Sequence, residues 1–142
     1  MQLALDSTIL IHAVEGTEES SVAIACLQLV FEHVHTTPFI VSELLLAEVL
    51  TLQLREGNAD LVRFYRRLLT DLHAMRMVPV NRSVLLEAAR LRSVSALKLP
   101  DAIHLATATR AGCKAFVSLD RMIKAPGAVL VIPPDEAIKV LA

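Results

Sequence analysis

Short apolar runs separated by longer stretches of helical period organise this chain. The runs are 2–5 (QLAL), 38–41 (PFIV), 75–80 (MRMVPV), 114–118 (KAFVS) and 128–132 (AVLVI). Each is short and bounded by turn or breaker residues, the pattern of strands buried on both faces. Residues 18–34 have helical period through Val22, Ile24, Leu27, Leu29 and Val30, with Thr17 as a cap and Glu18 and Glu19 in the first turn. A second helix, 43–56, follows Ser42 and stops at Gly57, and a third, 59–73, follows Asn58. Residues 82–96 follow Asn81 and carry Leu85, Leu86, Ala89 and Val94. Pro100 opens a helix to Arg110 with Gly112 beyond it, and Pro133 and Pro134 open a last one over 135–141. Strands alternating with helices predict an α/β fold with a parallel sheet covered on both faces.

The length of 142 residues suits one domain spanning 1–142, and 54% hydrophobic residues allow a substantial core. No apolar run reaches the length of a membrane span. The opening MQLALDST lacks the basic stretch of a signal peptide, so a soluble, cytoplasmic protein with no membrane partner is expected. Cys26 and Cys113 form no CxxC pair and are expected to be buried thiols. A net charge of −1 does not advertise nucleic-acid binding. The charge is unevenly spread, however: 55–92 holds eight Arg against four acids, +4, which leaves −5 elsewhere. Arg63, Arg66 and Arg67 cluster there. Arginine forks suit phosphate oxygens, although a solvated helix face is the plainer reading.

Four of the fifteen acids stand out. Asp6 directly follows the first strand, and ligands bind at the carboxyl ends of strands in open parallel sheets. A helix cap before Thr8–Val14 is its plainer role, and the residues leave both open. Glu48 lies four residues after Leu44 and four before Leu52, in one helical stripe with two leucines. A carboxylate there needs a cation or an arginine. Asp101 follows Pro100 in the first turn of a helix whose Ala102, Ala106, Ala108 and Ala111 allow close approach to a sheet. Asp120 falls just beyond the fourth strand, as Asp6 does beyond the first. Two carboxylates about 4 Å apart repel by roughly 4 kcal/mol at an effective dielectric of 20, so four together call for a cation. Oxygen ligands suit Mg2+ or Mn2+.

LDSTILIH (5–12), SELLLAEVL (42–50), LPDAIHLATATRAGC (99–113) and AFVSLD (115–120) resemble, in order and spacing, the four motifs of PIN domains. Asp6, Glu48, Asp101 and Asp120 fall at the acidic positions. The resemblance covers essentially the whole chain. It implies a three-layer α/β/α fold with a central parallel sheet of four to five strands, and Mg2+- or Mn2+-dependent cleavage of RNA. In length the chain is similar to VapC-type toxins of toxin–antitoxin pairs, which implies a homodimer restrained by a small cognate antitoxin. Thr8 stands where the family usually has Asn, and Ser118 where it usually has Thr; both, with Ser7, are expected to support the acids by hydrogen bonds. RMIK after Asp120 lacks a second acid often found there, which bears on a second metal.

His104, one turn from Asp101, is a candidate phosphate contact, with a packed or helix-stabilising role favoured. His33 and His35 have no zinc-type partners and suit a helix end. Phe64 and Tyr65 are expected in core or dimer packing rather than on bases. Three other functions compete: a PIN-fold module binding RNA or protein with little turnover, a housekeeping RNA-processing nuclease, and an α/β phosphatase of dehalogenase type. The last lacks its Asp-x-Asp, since Asp6-Ser7-Thr8 has no second acid.

Overall fold

The structure, a computed structural model, describes residues 2–16 and 20–141. The expected cap at Thr17 and the acids Glu18 and Glu19 lie outside the described residues. In chain order the elements are β1 (Leu3–Leu5), α1 (Ser7–Glu15), α2 (Ser20–Glu32), β2 (Ile40–Ser42), α3 (Leu44–Arg55) and α4 (Ala59–Arg66). A π-helical turn (Arg67–Asp71), β3 (Arg76–Val78), α5 (Arg82–Ser93), α6 (Leu99–Arg110), β4 (Ala115–Val117), β5 (Leu130–Ile132) and α7 (Pro134–Leu141) follow. The five strands form one parallel sheet in the order β3-β2-β1-β4-β5. This is the three-layer α/β/α arrangement.

Period-two alternation along the strands builds the layers. Leu3 and Leu5 of β1, Val41 of β2 and Val117 of β4 face one core with Ile9, Leu10, Leu45, Val49 and Tyr65. Ala4, Ile40 and Phe116 face the other, against α5 and α6. Every residue of α6 from Ala102 to Ala108 is buried. Its alanines let this helix lie close against β2 and β4, and that seat sets where Asp101 and His104 fall.

The helix boundaries follow local chemistry. Asn58 and Asn81 cap α4 and α5, their Oδ1 atoms accepting from Leu61 N (3.2 Å) and Val84 N (3.0 Å). Gly57 (φ 69°) and Gly112 (φ 76°) take the left-handed turn that ends α3 and α6. Two predicted helices are shorter than their pattern. In place of a single helix over 59–73, α4 gives way to the π turn. There the Thr70 hydroxyl takes the Arg66 carbonyl, and Leu72 N reaches back to Arg67 O at 3.0 Å. The helix expected over 82–96 stops at Ser93. The hydroxyls of Ser93 and Ser95 donate to the Arg90 and Leu91 carbonyls, each at 2.6 Å, and replace further helical bonds.

Among the described residues no helix is long and apolar enough to cross a membrane. Cys26 and Cys113 are buried free thiols, and burial pushes each up to about 11.

The close seat of α6 predicts that Ala106→Leu destabilises the protein by about 1–3 kcal/mol through overpacking. Ala47→Leu, on the exposed face of α3, should stay within about 0.5 kcal/mol of wild type. Urea denaturation of the two variants checks this, and equal midpoints would mean the helix has room to move.

Candidate active site

The chain runs from β1 outward to β2 and β3, then returns to the other side of β1 as β4. The carboxyl ends of β1 and β4 therefore flank the point where the strand order reverses, the place where open parallel sheets leave a crevice. Leu5 pairs with Val117, so Asp6 and Ser118 emerge side by side. Asp6 is 4% exposed. Its Oδ1 accepts from the backbone N of Ser7 at 2.8 Å, which caps α1. Its Oδ2 accepts from the hydroxyls of Ser118 at 2.6 Å and Thr8 at 3.0 Å. The cap role and the crevice position coexist in one side chain. Ser7 acts through its backbone, since its hydroxyl lies 3.5 Å from Oδ1.

The same two hydroxyls order the loop that carries Asp120. Thr8 Oγ1 accepts from Leu119 N at 3.1 Å, and Ser118 Oγ accepts from Asp120 N at 3.0 Å. The Asp120 carboxylate in turn accepts from Met122 N at 2.9 Å. One hydrogen-bonded string thus runs from Asp6 through Thr8 and Ser118 into the loop after β4.

Asp101 enters from the first turn of α6. Burial raises its pKa, and the charges of Asp6, Asp120 and Glu48 raise it further, against a smaller lowering by His104. Four acids distant in sequence therefore share one electrostatic neighbourhood. Among the described residues, no three His, Cys, Asp or Glu side chains stand together as a ready-made metal cage. Asp101 and Asp120 line one cleft, and Asp6 is tied to the Asp120 loop through Ser118.

Glu48 departs from the leucine-stripe expectation. Leu44 packs on the core beneath α6, but Leu52 is 46% exposed, so the stripe runs off the core along α3. The buried stripe of α3 is Leu45, Val49 and Gln53. Glu48 sits at its margin, 28% exposed, and its Oε1 is hydrogen-bonded to His104 Nε2. His104 is 1% exposed and stacks on Phe116, ring centroids 6.0 Å apart. Its Nδ1 is buried with no hydrogen-bond partner. A hydrogen there would have no acceptor, so Nε2 carries the hydrogen and donates to Glu48. Burial works against charging His104, but the hydrogen bond and charge of Glu48, with Asp6 and Asp101, prevail and raise its pKa. This is the packed role favoured for His104, and it sets aside the candidate phosphate contact: the ring backs Glu48 and is buried away from solvent.

The arginine cluster lies elsewhere. Arg63, Arg66 and Arg67 are exposed beside a cleft that also involves Phe64. Arg63 pairs with Asp60. Tyr65 between them is buried and donates to Glu15 at 2.6 Å, while Gln53 donates to the same carboxylate at 3.1 Å. Glu15 ends the helix that Asp6 begins, nine residues or about 13 Å along its axis. The arginines are thus anchored at the far end of α1 from Asp6. Beside the acids stand different cations. Lys98 and Lys124, with Leu97, Met122 and Ile123, line a cleft that also contains Asp101 and Asp120. Charge counting missed them, because lysines from separate loops leave no local cluster in the sequence.

His33 Nδ1 lies 2.8 Å from the Leu29 carbonyl oxygen at the end of α2, a helix-end role.

The family model of the PIN domain matches residues 3–128, and the chain belongs to the PIN-domain family. No curated protein sequence matches it. A toxin–antitoxin complex from Klebsiella pneumoniae is similar in structure at 22% identity and a TM-score of 0.68, over 94% of this chain and 98% of that one. VapBC2 from Rickettsia felis, bound to a DNA fragment from its promoter, is similar at 13% identity and a TM-score of 0.69, again over 94% and 98%. VapC20 from Mycobacterium tuberculosis, a sarcin-ricin loop cleaving toxin, is similar at 14% identity and a TM-score of 0.67, over 84% and 91%. At these identities the likeness is one of fold.

Two measurements probe the site without turnover. In EDTA, Asp101→Asn should raise the melting temperature by about 3 °C, because it removes a carboxylate repelled by three others. The raised pKa means the stability tied to protonated Asp101 is present at low pH and lost as pH rises through that pKa. The gap between variant and wild type should therefore close below about pH 4; a gap that widens there would contradict the repulsion. Separately, the His104 Nε2–H should give a downfield proton resonance in the wild type that disappears in Glu48→Ala with the fold retained.

Proposed function

We propose that this protein is a Mg2+- or Mn2+-dependent endoribonuclease, the toxin of a type II toxin–antitoxin pair. What supports the reading is that Asp6 is tied through Ser118 to the loop carrying Asp120, and that Asp120 shares a cleft with Asp101, whose pKa is raised by burial and by the charges of Asp6, Asp120 and Glu48. The donor chemistry fits the ion. The set is all carboxylate, with no thiolate, and the nearest imidazole is occupied with Glu48. Mg2+ keeps several waters, so an open set of carboxylates that leaves room for them suits it. Asp6, Asp101 and Asp120 would hold the ion, with Glu48 at the margin. When bound, such an ion activates water and stabilises the leaving oxygen of a phosphodiester.

The chain's own side chains divide the remaining work. Ser118, Thr8 and Ser7 N hold both Asp6 oxygens, so this carboxylate cannot rotate away. His104 fixes Oε1 of Glu48 and leaves Oε2 to orient the attacking water or receive its proton. Arg63, Arg66 and Arg67 would meet RNA beyond the cut, a helix length from Asp6.

The toxin role and its partners, a second copy of the chain and a small antitoxin, rest on likeness to toxin–antitoxin structures along nearly their whole length. Asp6→Asn should lower Mn2+-dependent cleavage of single-stranded RNA at least about a hundredfold, with circular dichroism unchanged. Cleavage at the wild-type rate in that variant would remove Asp6 from the reaction and the proposal with it.

A further inference from the structure

The acid crevice opens on one side into a cleft of about 460 Å³, between the turn at Ser95–Lys98 and the loop from Asp120 to Lys124. That size lies in the range of clefts that seat small ligands, roughly 300–1,000 Å³. Asp101 and Asp120 line it, buried Leu97 and Ile123 contribute an apolar floor, and Lys98 and Lys124 are exposed at the rim. Met122 is 84% exposed, although its own backbone N–H is tied to the Asp120 carboxylate at 2.9 Å. A large apolar side chain is thus held out in solvent by a group of the candidate active site.

Resting on the nuclease reading, we infer that this cleft is the subsite for the nucleotide next to the cleaved bond in single-stranded RNA. Lys98 and Lys124 take the phosphates flanking that nucleotide, and Met122 packs against its base. The charge pattern selects this occupant. Asp101 and Asp120 repel a small free anion, whereas a nucleotide chain can place its phosphates on Lys98 and Lys124 and its uncharged base or sugar over Leu97 and Ile123. The floor suits a base or sugar face, and a flexible thioether at the rim packs on any base edge without reading it. The cleft therefore holds RNA in place near the acids with little sequence selection of its own.

The test is equilibrium binding of a fluorescent single-stranded RNA across a salt series with Mn2+, in the Asp6→Asn protein, which should not cleave the probe and whose substitution is not in the cleft lining. Lys98→Gln and Lys124→Gln should each flatten the slope of log affinity against log salt by about 0.7, and the double variant by about 1.4. Met122→Ala should weaken binding about two- to tenfold at every salt and leave the slope unchanged. Lys114→Gln, an exposed lysine just before β4 and so at the opposite strand end from Asp120, should change neither. Unchanged slopes in the lysine variants, or no RNA binding by the Asp6→Asn protein, would overturn the subsite. Failure of the nuclease reading is separate: the wild-type protein would then cleave no RNA, whatever the binding slopes.

Discussion

Two strand ends meeting across the reversal of strand order is the constraint on which the site depends. β1 and β4 are parallel neighbours, and their register brings Ser118 against Asp6 at 2.6 Å across more than a hundred residues of chain. A buried carboxylate is costly unless its oxygens are hydrogen-bonded or matched by positive charge. At Asp6 the folded backbone supplies those bonds, from Ser7 N, Thr8 and Ser118. The same hydroxyls order the loop behind Asp120. The strand pairing thus fixes two acids at once, and a one-residue slip of β4 would turn Ser118 away and lose both.

The second layer of control is the seat of α6. Alanines let this helix approach the sheet closely, and both ends of the approach carry chemistry. Asp101 opens the helix at the crevice, and His104 one turn later is wedged over Phe116 beneath Glu48. A bulkier helix would stand off the sheet and separate Glu48 from its partner. Packing and electrostatics are therefore one design here, since the residues that make α6 fit are those that bring two acids toward Asp6.

Much of this was legible from residue pattern. Asp6 and Asp120 were found because they follow apolar runs, and parallel strands expose their carboxyl ends to ligand; both rules are local. Asp101 was found through Pro100 and the alanine pattern. Glu48 stands out in the sequence for a leucine stripe that runs off the core in the structure, a reason that only half holds. The real cause of its placement is His104, and that contact joins helices whose relative rotation no local pattern encodes. The arginine cluster shows the opposite case. Charges adjacent in sequence are easy to count, but only the fold shows that Tyr65, among them, is tied to Glu15 at the far end of α1 from Asp6.

Under the proposed function, that contrast bears on how a protein of net charge −1 approaches a polyanion. Carboxylates gathered for a cation repel RNA until the cation arrives, and a distant basic helix cannot offset this at the point of contact, because exposed charges more than about 8–10 Å apart are largely screened at physiological salt. Attraction has to come from cations within that distance of the acids. Lys98 and Lys124 share a cleft with Asp101 and Asp120, and they come from separate segments, one before α6 and one after β4. Affinity for a phosphate backbone is then a property of the folded crevice. It is invisible in the charge balance because the two lysines lie far apart in sequence and share a cleft only in the folded chain.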